Sequence, residues 1–347
     1  MSLFFYQSLE YCDLLQHPFT HKSTPGHIRD IQDGEICKEL SKPGEFLSFP
    51  EHTALILNAD GAPIFKSAGN SIWPIYLCIT SFPPEIRMNA RNLLLAGVWC
   101  GPVKPDMKVI LGPVLEAINQ LKVDGIPIET ATGQRIVKAC LLLAVFDLPA
   151  LAMACNATQF NGNYGCLYCL DKGHHVSGTH VYPPSDEHRP RTSRQQMEWA
   201  KEAERNGMAV YGVKGTSILS HSIAIPNQCP IDYMHAVLEG VMKKLMQNYW
   251  FNSKHHGKRF YLLKDVSEID KRLQRIKPPH DFRSTPRPLS NTLHFWKASE
   301  YQAFLLYYAI PVLKCFLPSD YIYHLALLVC SMHILLGTDI TTRHSPG

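Results

Sequence analysis

Apolar positions in this chain gather into short runs separated by Pro- and Gly-rich breaks. Thr53–Asp60 (TALILNAD) is apolar through its middle and closes on Asp60-Gly61, which predicts a buried strand running into a turn. Pro63–Ser67 and Ile72–Phe82 predict the next two strands, around the Gly69-Asn70 turn, and Leu93–Cys100 predicts another. At Pro105 the period changes. Met107, Ile110, Leu111, Val114, Leu115 and Ile118 recur near 3.6 residues and predict a helix to about Leu121. Gln134–Phe146 (QRIVKACLLLAVF) is aliphatic and partly β-branched, the pattern of a central strand. It ends at Asp147, and Pro149 opens a short helix. Residues 1–50 carry turn signals and no catalytic pattern.

From Cys155 to about Leu293 the chain is rich in His, Arg and Pro, and the predicted helices are short. Arg194–Asn206 is capped by Thr192 or Ser193 and stopped at Asn206-Gly207. Asp232 is expected to cap a helix to about Trp250, with the i+4 stripe Tyr233, Val237, Val241, Leu245, Tyr249. Ser267 is expected to cap another helix. Ser299 is expected to cap one from Glu300 to about Phe316, bent at Pro311, and Ser319 a last one to about Leu336. The pattern predicts an N-terminal extension (1–50), the first part of an α/β core (51–154), a mainly helical Cys/His-containing insertion (155–293), and C-terminal helices completing the core (294–347).

Composition narrows the class. The chain has 347 residues, 46% of them apolar, enough to bury a core. Its longest apolar runs, Ala139–Ala154, Ala303–Leu317 and Tyr321–Leu336, are broken by Asp147 and Pro149, by Pro311 and Lys314, and by His324, Ser331 and His333. They read as core elements and not as membrane spans. Met1–His17 lacks a basic stretch and a small-residue cleavage site, so no secretory signal is expected. The eleven cysteines are mostly single, the usage of a reduced protein in the nucleus or cytoplasm. Net charge is only +4, but Lys243–Arg287 holds twelve Lys/Arg against four Asp/Glu. That asymmetry reads either as a solvated surface or as a face for a polyanion.

Three acids stand out by position. Asp60 ends the first strand, Asp147 ends the central strand, and Glu300 opens a core helix. Each has a plain local role available: a turn for Asp60, a helix cap for Asp147, a favourable helix start for Glu300. Convergence at one sheet edge would give them another, as ligands for one or two Mg²⁺ ions, which favour carboxylate oxygens. Cys166-Leu-Tyr-Cys169 has the spacing of half a zinc knuckle. Further ligands would come from Cys155, His174, His175, His180 or His235; unligated thiols or a redox pair are the alternatives. Asp232 and His235 share one helical face, either as cap and buried histidine or as metal ligands.

The ordered set Asp60-Gly-Ala-Pro-Ile-Phe-Lys-Ser with Trp73-Pro74, Phe146-Asp147-Leu-Pro-Ala, Cys155-Asn with Gly165-Cys-Leu-Tyr-Cys169, Asp232-Tyr-Met-His235 and Lys297-Ala-Ser-Glu300 resembles the catalytic domain of CACTA (En/Spm-type) DNA transposases and their animal relatives. The resemblance covers roughly residues 50–336. It implies a ribonuclease-H-like α/β core and a DDE/D triad of Asp60, Asp147 and Glu300 that binds two Mg²⁺ or Mn²⁺ ions. Many plant relatives carry Asp in the Glu300 position. The implied activity is phosphoryl transfer: strand cleavage at element ends, then attack of the freed 3′-hydroxyl on target DNA. Structural Zn²⁺ on Cys166 and Cys169, with Cys155 and His235 as candidate further ligands, is the expectation from the Cys-x-x-Cys spacing. Lys243, Lys244, Lys258, Arg259, Arg272, Arg275, Lys277, Arg283 and Arg287 would hold DNA phosphates. The implied partners are DNA and further copies of the chain assembled on it. With no DNA-reading module ahead of the core, the sequence reads as a shortened form. A transposase-derived protein that binds without catalysis, and a zinc-stabilised interaction domain unrelated to DNA, are the other readings.

Overall fold

A computed structural model of the chain describes residues 13–63, 69–130, 133–183, 189–280, 282 and 285–341. They divide into two compact units, one running to Asp232 and including Thr341, the other Tyr233–Ile340. The stretch 155–293 is shared between the two.

The first unit is α/β. Its mixed sheet contains β1 (His52–Ala59), β2 (Ala62–Pro63), β3 (Ser71–Ile79), β4 (Leu93–Gly101), β5 (Ile126–Thr130) and β6 (Gly133–Val145). The spatial order is β4-β3-β1-β6-β5, with β2 also paired to β3. β1 runs parallel to β6 and antiparallel to β3, β3 is antiparallel to β4, and β5 is antiparallel to β6. The parallel pair sits at the centre and is buried on both faces, which is why both strands read as near-continuous apolar runs. On one face lies α1 (Met107–Val123), whose Leu111, Leu115 and Ile118 pack with Leu55, Leu57 and Leu141. The other face is covered by the segment before the sheet: Cys37 and Leu47 are buried with Ala54, Cys140 and Leu142. The crossover from β4 through α1 to the β5–β6 hairpin lets β6 run beside β1 in the same direction.

Several expectations shift. Of the Pro63–Ser67 strand, Ala62–Pro63 pairs with β3, and residues 64–67 lie outside the described residues. β5 is an addition to the expected strands, because Gly125 (φ +73°) and Pro127 carry the signal of a turn; on the sheet's edge a proline is tolerated. α1 starts at Met107, with Asp106 accepting from Lys108 N–H at 2.8 Å. α2 (Leu148–Ala154) starts as expected after Asp147. α3 (Ser193–Asn206) is capped by Thr192, which shares a capping box with Gln195, and it ends at left-handed Gly207 (φ +66°).

The second unit is mainly helical, around Leu238, Met242, Met246, Trp250, Tyr301, Phe304 and Leu313. One helix runs from Tyr233 through wide, π-type turns to Trp250, with Asp232 directly before its first residue, as expected. Its buried stripe is Leu238, Met242, Met246, Trp250, while Val241 and Tyr249 are exposed. The i+4 period holds, but the inward row is displaced by one residue. Ser267 lies inside the helix Val266–Gln274, and Ser299 lies inside Ala298–Ala303. Ser319 is the first helical residue of Ser319–Leu335, preceded by Pro318. The Glu300-to-Phe316 helix is instead Ala298–Ala303, a wide-turn segment Phe304–Tyr308, and Ala309–Leu313 around Pro311.

Candidate active site

The parallel pair positions the first two acids. Asn58 on β1 lies opposite Val145 on β6, and its side-chain amide donates to the Val145 carbonyl at 2.9 Å. The pairing ends at Asn58 and Val145; counted two residues further, the same offset sets Asp60 against Asp147, both half-buried and just past the carboxyl ends of the two strands. Asp147 is also the N-cap of α2: its Oδ1 accepts from Ala150 N–H at 2.6 Å. The capping role and a ligand role use different oxygens and do not exclude each other.

Among the described residues, no three of Asp60, Asp147, Asp232 and Glu300 bring carboxylate oxygens within 4.8 Å of one another, but the segment before Asp232 pairs with the end of β6. Phe146 forms a parallel bridge with Ile231, so Asp232 lies one residue beyond that bridge, as Asp147 does. The pattern carries little sequence signal, because a single bridge leaves no strand periodicity to read. The bridge at Ile231 is what brings Asp232 to the end of β6.

Glu300 lies in the second unit. Its Oε1 accepts from Arg287 Nε at 2.6 Å, and its Oε2 from Arg287 Nη2 at 2.7 Å and from Lys297 N–H at 2.8 Å. Burial pushes the carboxyl upward, but the Arg287 and Lys297 bonds outweigh it and hold the group below its ordinary range. The pair lines an open cavity of about 550 Å³ with Phe282, Trp296, Tyr307 and Tyr308. Two residues expected to serve separately, one as an acid and one as a phosphate ligand, are therefore bonded to each other.

The cysteines form two pairs. The thiols of Cys166 and Cys169 are neighbours; burial, then the Cys166 thiol, pushes the Cys169 thiol upward. Cys155 is fully buried and hydrogen-bonded to Cys229, whose thiol together with burial raises it well above the ordinary range. Among the described residues, no three of these thiols gather within 4.8 Å, the spread a shared ion needs. His235 belongs to the second unit. Tyr168 lies between the pairs and donates to the Cys229 carbonyl at 2.6 Å.

The basic residues differ in availability. Lys243 pairs with Glu239 and Arg259 with Asp320. Arg272 donates to the Lys314 carbonyl and lies 4.4 Å from the Phe316 ring centroid. Lys244, Lys258, Arg275 and Lys277 are exposed. Arg283 lies outside the described residues.

The first unit is thus a mixed α/β fold with one parallel strand pair at the centre of its sheet. Residues 25–182 match the family model described as Transposase family tnp2. The match takes in Asp60, Asp147, Cys166 and Cys169 and stops short of Asp232 and Glu300. No curated protein matches the chain. No helix among the described residues is long and apolar enough to cross a membrane.

Proposed function

We propose that the chain is a DDE/D-type DNA transposase of the CACTA group, acting in the nucleus, with a ribonuclease-H-like core. The observation that carries the reading is the register of β1 on β6, whose offset, counted on, sets Asp60 against Asp147 within the stretch that matches the transposase family model. The strand order β4-β3-β1-β6, with α1 crossing between β4 and β6, supports the core assignment.

The donor set fits Mg²⁺ or Mn²⁺: carboxylate oxygens, half-buried, at a strand edge. Two such ions supply activation of the attacking oxygen and charge stabilisation at the leaving one. The chain's own part is to fix the carboxylates on a rigid sheet and to keep Asp147 oriented through its bond to Ala150 N–H. Asp232 is the stronger third acid on local geometry, because its segment pairs with β6 while Glu300 is committed to Arg287 and Lys297. Exposed Lys244, Lys258, Arg275 and Lys277 serve DNA phosphates.

The test is Mn²⁺ binding, followed by electron paramagnetic resonance, together with divalent-dependent nicking of supercoiled plasmid. Wild type binds and nicks, while Asp60→Asn and Asp147→Asn lose both with the fold intact. Asp232→Asn following them, with Glu300→Gln sparing Mn²⁺ binding, assigns the third acid. Salt-dependent DNA binding without Mn²⁺ binding or nicking selects the non-catalytic alternative.

A further inference from the structure

Residues 13–33 hold a donor cluster that the transposase reading does not use. His17 and His21 are one helical turn apart, with His21 N–H donating to the His17 carbonyl at 2.8 Å. Both rings therefore face the same way, toward the turn that carries Asp30 and Asp33. His17 Nε2 lies 2.7 Å from Asp30 Oδ2, and His21 Nε2 lies 3.0 Å from Asp33 Oδ1. The His17, His21 and Asp30 donor atoms all lie within 4.8 Å of one another. The side chains are 18%, 13% and 3% exposed, so the cluster is shielded but reachable.

We propose that His17, His21 and Asp30 form a structural site for a first-row divalent cation, with Zn²⁺ the best match. Two imidazole nitrogens and one carboxylate oxygen are a borderline donor set suited to zinc. Tetrahedral bonds of about 2.0–2.1 Å separate donors by about 3.4 Å, so the cluster closes on an ion with shifts of about 1 Å or less. The ion takes the place of the protons shared between each ring and its carboxylate. Arg87 donates to Asp30 Oδ1 at 2.7 Å and to Oδ2, the oxygen that faces His17, at 3.0 Å, which fixes the ligand's orientation. Asp33 accepts from Ser23 Oγ and from the N–H groups of Arg29 and Asp30, and stands beside His21 as a further oxygen donor. The bound ion would fasten the helical turn carrying His17 and His21 to the turn carrying Asp30, which Arg87 already holds. The site is independent of Asp60 and Asp147.

The experiment uses the full chain without a polyhistidine tag, stripped by a chelator and titrated with Zn²⁺ against a chromophoric chelator, then with Co²⁺. The expected result is one equivalent of zinc that Cys166→Ser/Cys169→Ser retains and His17→Gln/His21→Gln loses, its affinity falling about 100-fold or more. The cobalt form of the cysteine variant should show tetrahedral d–d bands. Zinc content unchanged in the histidine variant overturns the site, and so does a wild type that binds none. Should the histidine variant fail to fold by circular dichroism, cobalt in wild type decides. Nitrogen–oxygen bands without thiolate charge transfer uphold the site, and thiolate charge transfer alone refutes it.

Discussion

Asp147 carries two separable duties, and two substitutions divide them. Its Oδ1 caps α2 by accepting from Ala150 N–H at 2.6 Å, and Ala150 is fully buried. Asp147→Ala therefore removes a cap and leaves a buried N–H without its acceptor. Caps are worth about 1 kcal/mol, and an unsatisfied buried donor costs about 1–3 kcal/mol, so a loss of about 1–2 kcal/mol is expected. Asparagine caps as well as aspartate does, because its amide oxygen accepts the same bond, so Asp147→Asn should stay within about 0.5 kcal/mol of wild type. Urea denaturation at neutral pH, read by tryptophan fluorescence, measures both. A cation sees the difference: the amide has no negative charge, so Mn²⁺ binding should collapse in Asp147→Asn, and nicking should fall on the order of 100-fold or more. Full stability in Asp147→Ala refutes the capping argument. A stable Asp147→Asn that binds Mn²⁺ and nicks like wild type refutes the ligand argument and leaves the cap as the residue's whole role.

Arg87 is buried, bidentate on buried Asp30, and donates to the Phe82 carbonyl. Arg87→Leu strands that carboxylate and should cost about 3–5 kcal/mol in the same denaturation assay, and a cost under about 1 kcal/mol would contradict the pairing. The Glu300 carboxyl is held below its ordinary range, so the stability it contributes is present above the ordinary pKa of about 4.3 and disappears as pH falls through the depressed value. Arg287→Ala should cost about 1 kcal/mol at pH 7, discounted because Arg287 is partly exposed, and the gap to wild type should narrow in acid. Replacing Lys244, Lys258, Arg275 and Lys277 by Gln should lower the slope of log K for duplex DNA against log salt by about 0.9 for each phosphate no longer neutralised. An unchanged slope would move the DNA face elsewhere.

Much of the first unit is legible in the sequence because its central strands are buried on both faces. Thr53–Asp60 and Gln134–Phe146 are apolar runs of strand length, and the 3.6 period of Met107 to Ile118 has no competing reading. The acids at the two strand ends are legible for the same reason. The second unit is harder. Its expected caps at Ser267, Ser299 and Ser319 follow a local rule, but those serines lie inside or at the first residue of their helices. The Arg287–Glu300 pair joins residues 13 apart across two short helical turns, Leu289–Thr292 and Leu293–Phe295, whose periodicity does not reveal it. The histidine cluster does leave a signal, the i,i+4 spacing of His17 and His21, but its carboxylates arrive from a turn that sequence alone does not fold back.

In the proposed site, the level placement of Asp60 and Asp147 depends on a single irregularity in the sheet. Before it, β1 residues pair with β6 at one offset, Leu55 opposite Leu141; after it the offset is one larger, Ile56 opposite Leu143 and Asn58 opposite Val145. Without that shift the continuing register would set Asp60 level with Phe146, whose side chain is buried in the core. A one-residue slip moves a side chain to the opposite face of a sheet, so the bulge at Leu142 decides whether the two carboxylates share an edge. The bulge has its own support. Gln228 donates its side-chain amide to the Leu142 carbonyl at 2.7 Å, and its main-chain carbonyl accepts from Ala144 N–H at 3.0 Å. Gln228 therefore supplies partners to the backbone groups that the extra residue withdraws from the ladder. The segment that follows it leads to the Ile231 bridge with Phe146, so the stretch that steadies this register is the same one that carries Asp232, the third acid of the proposed site.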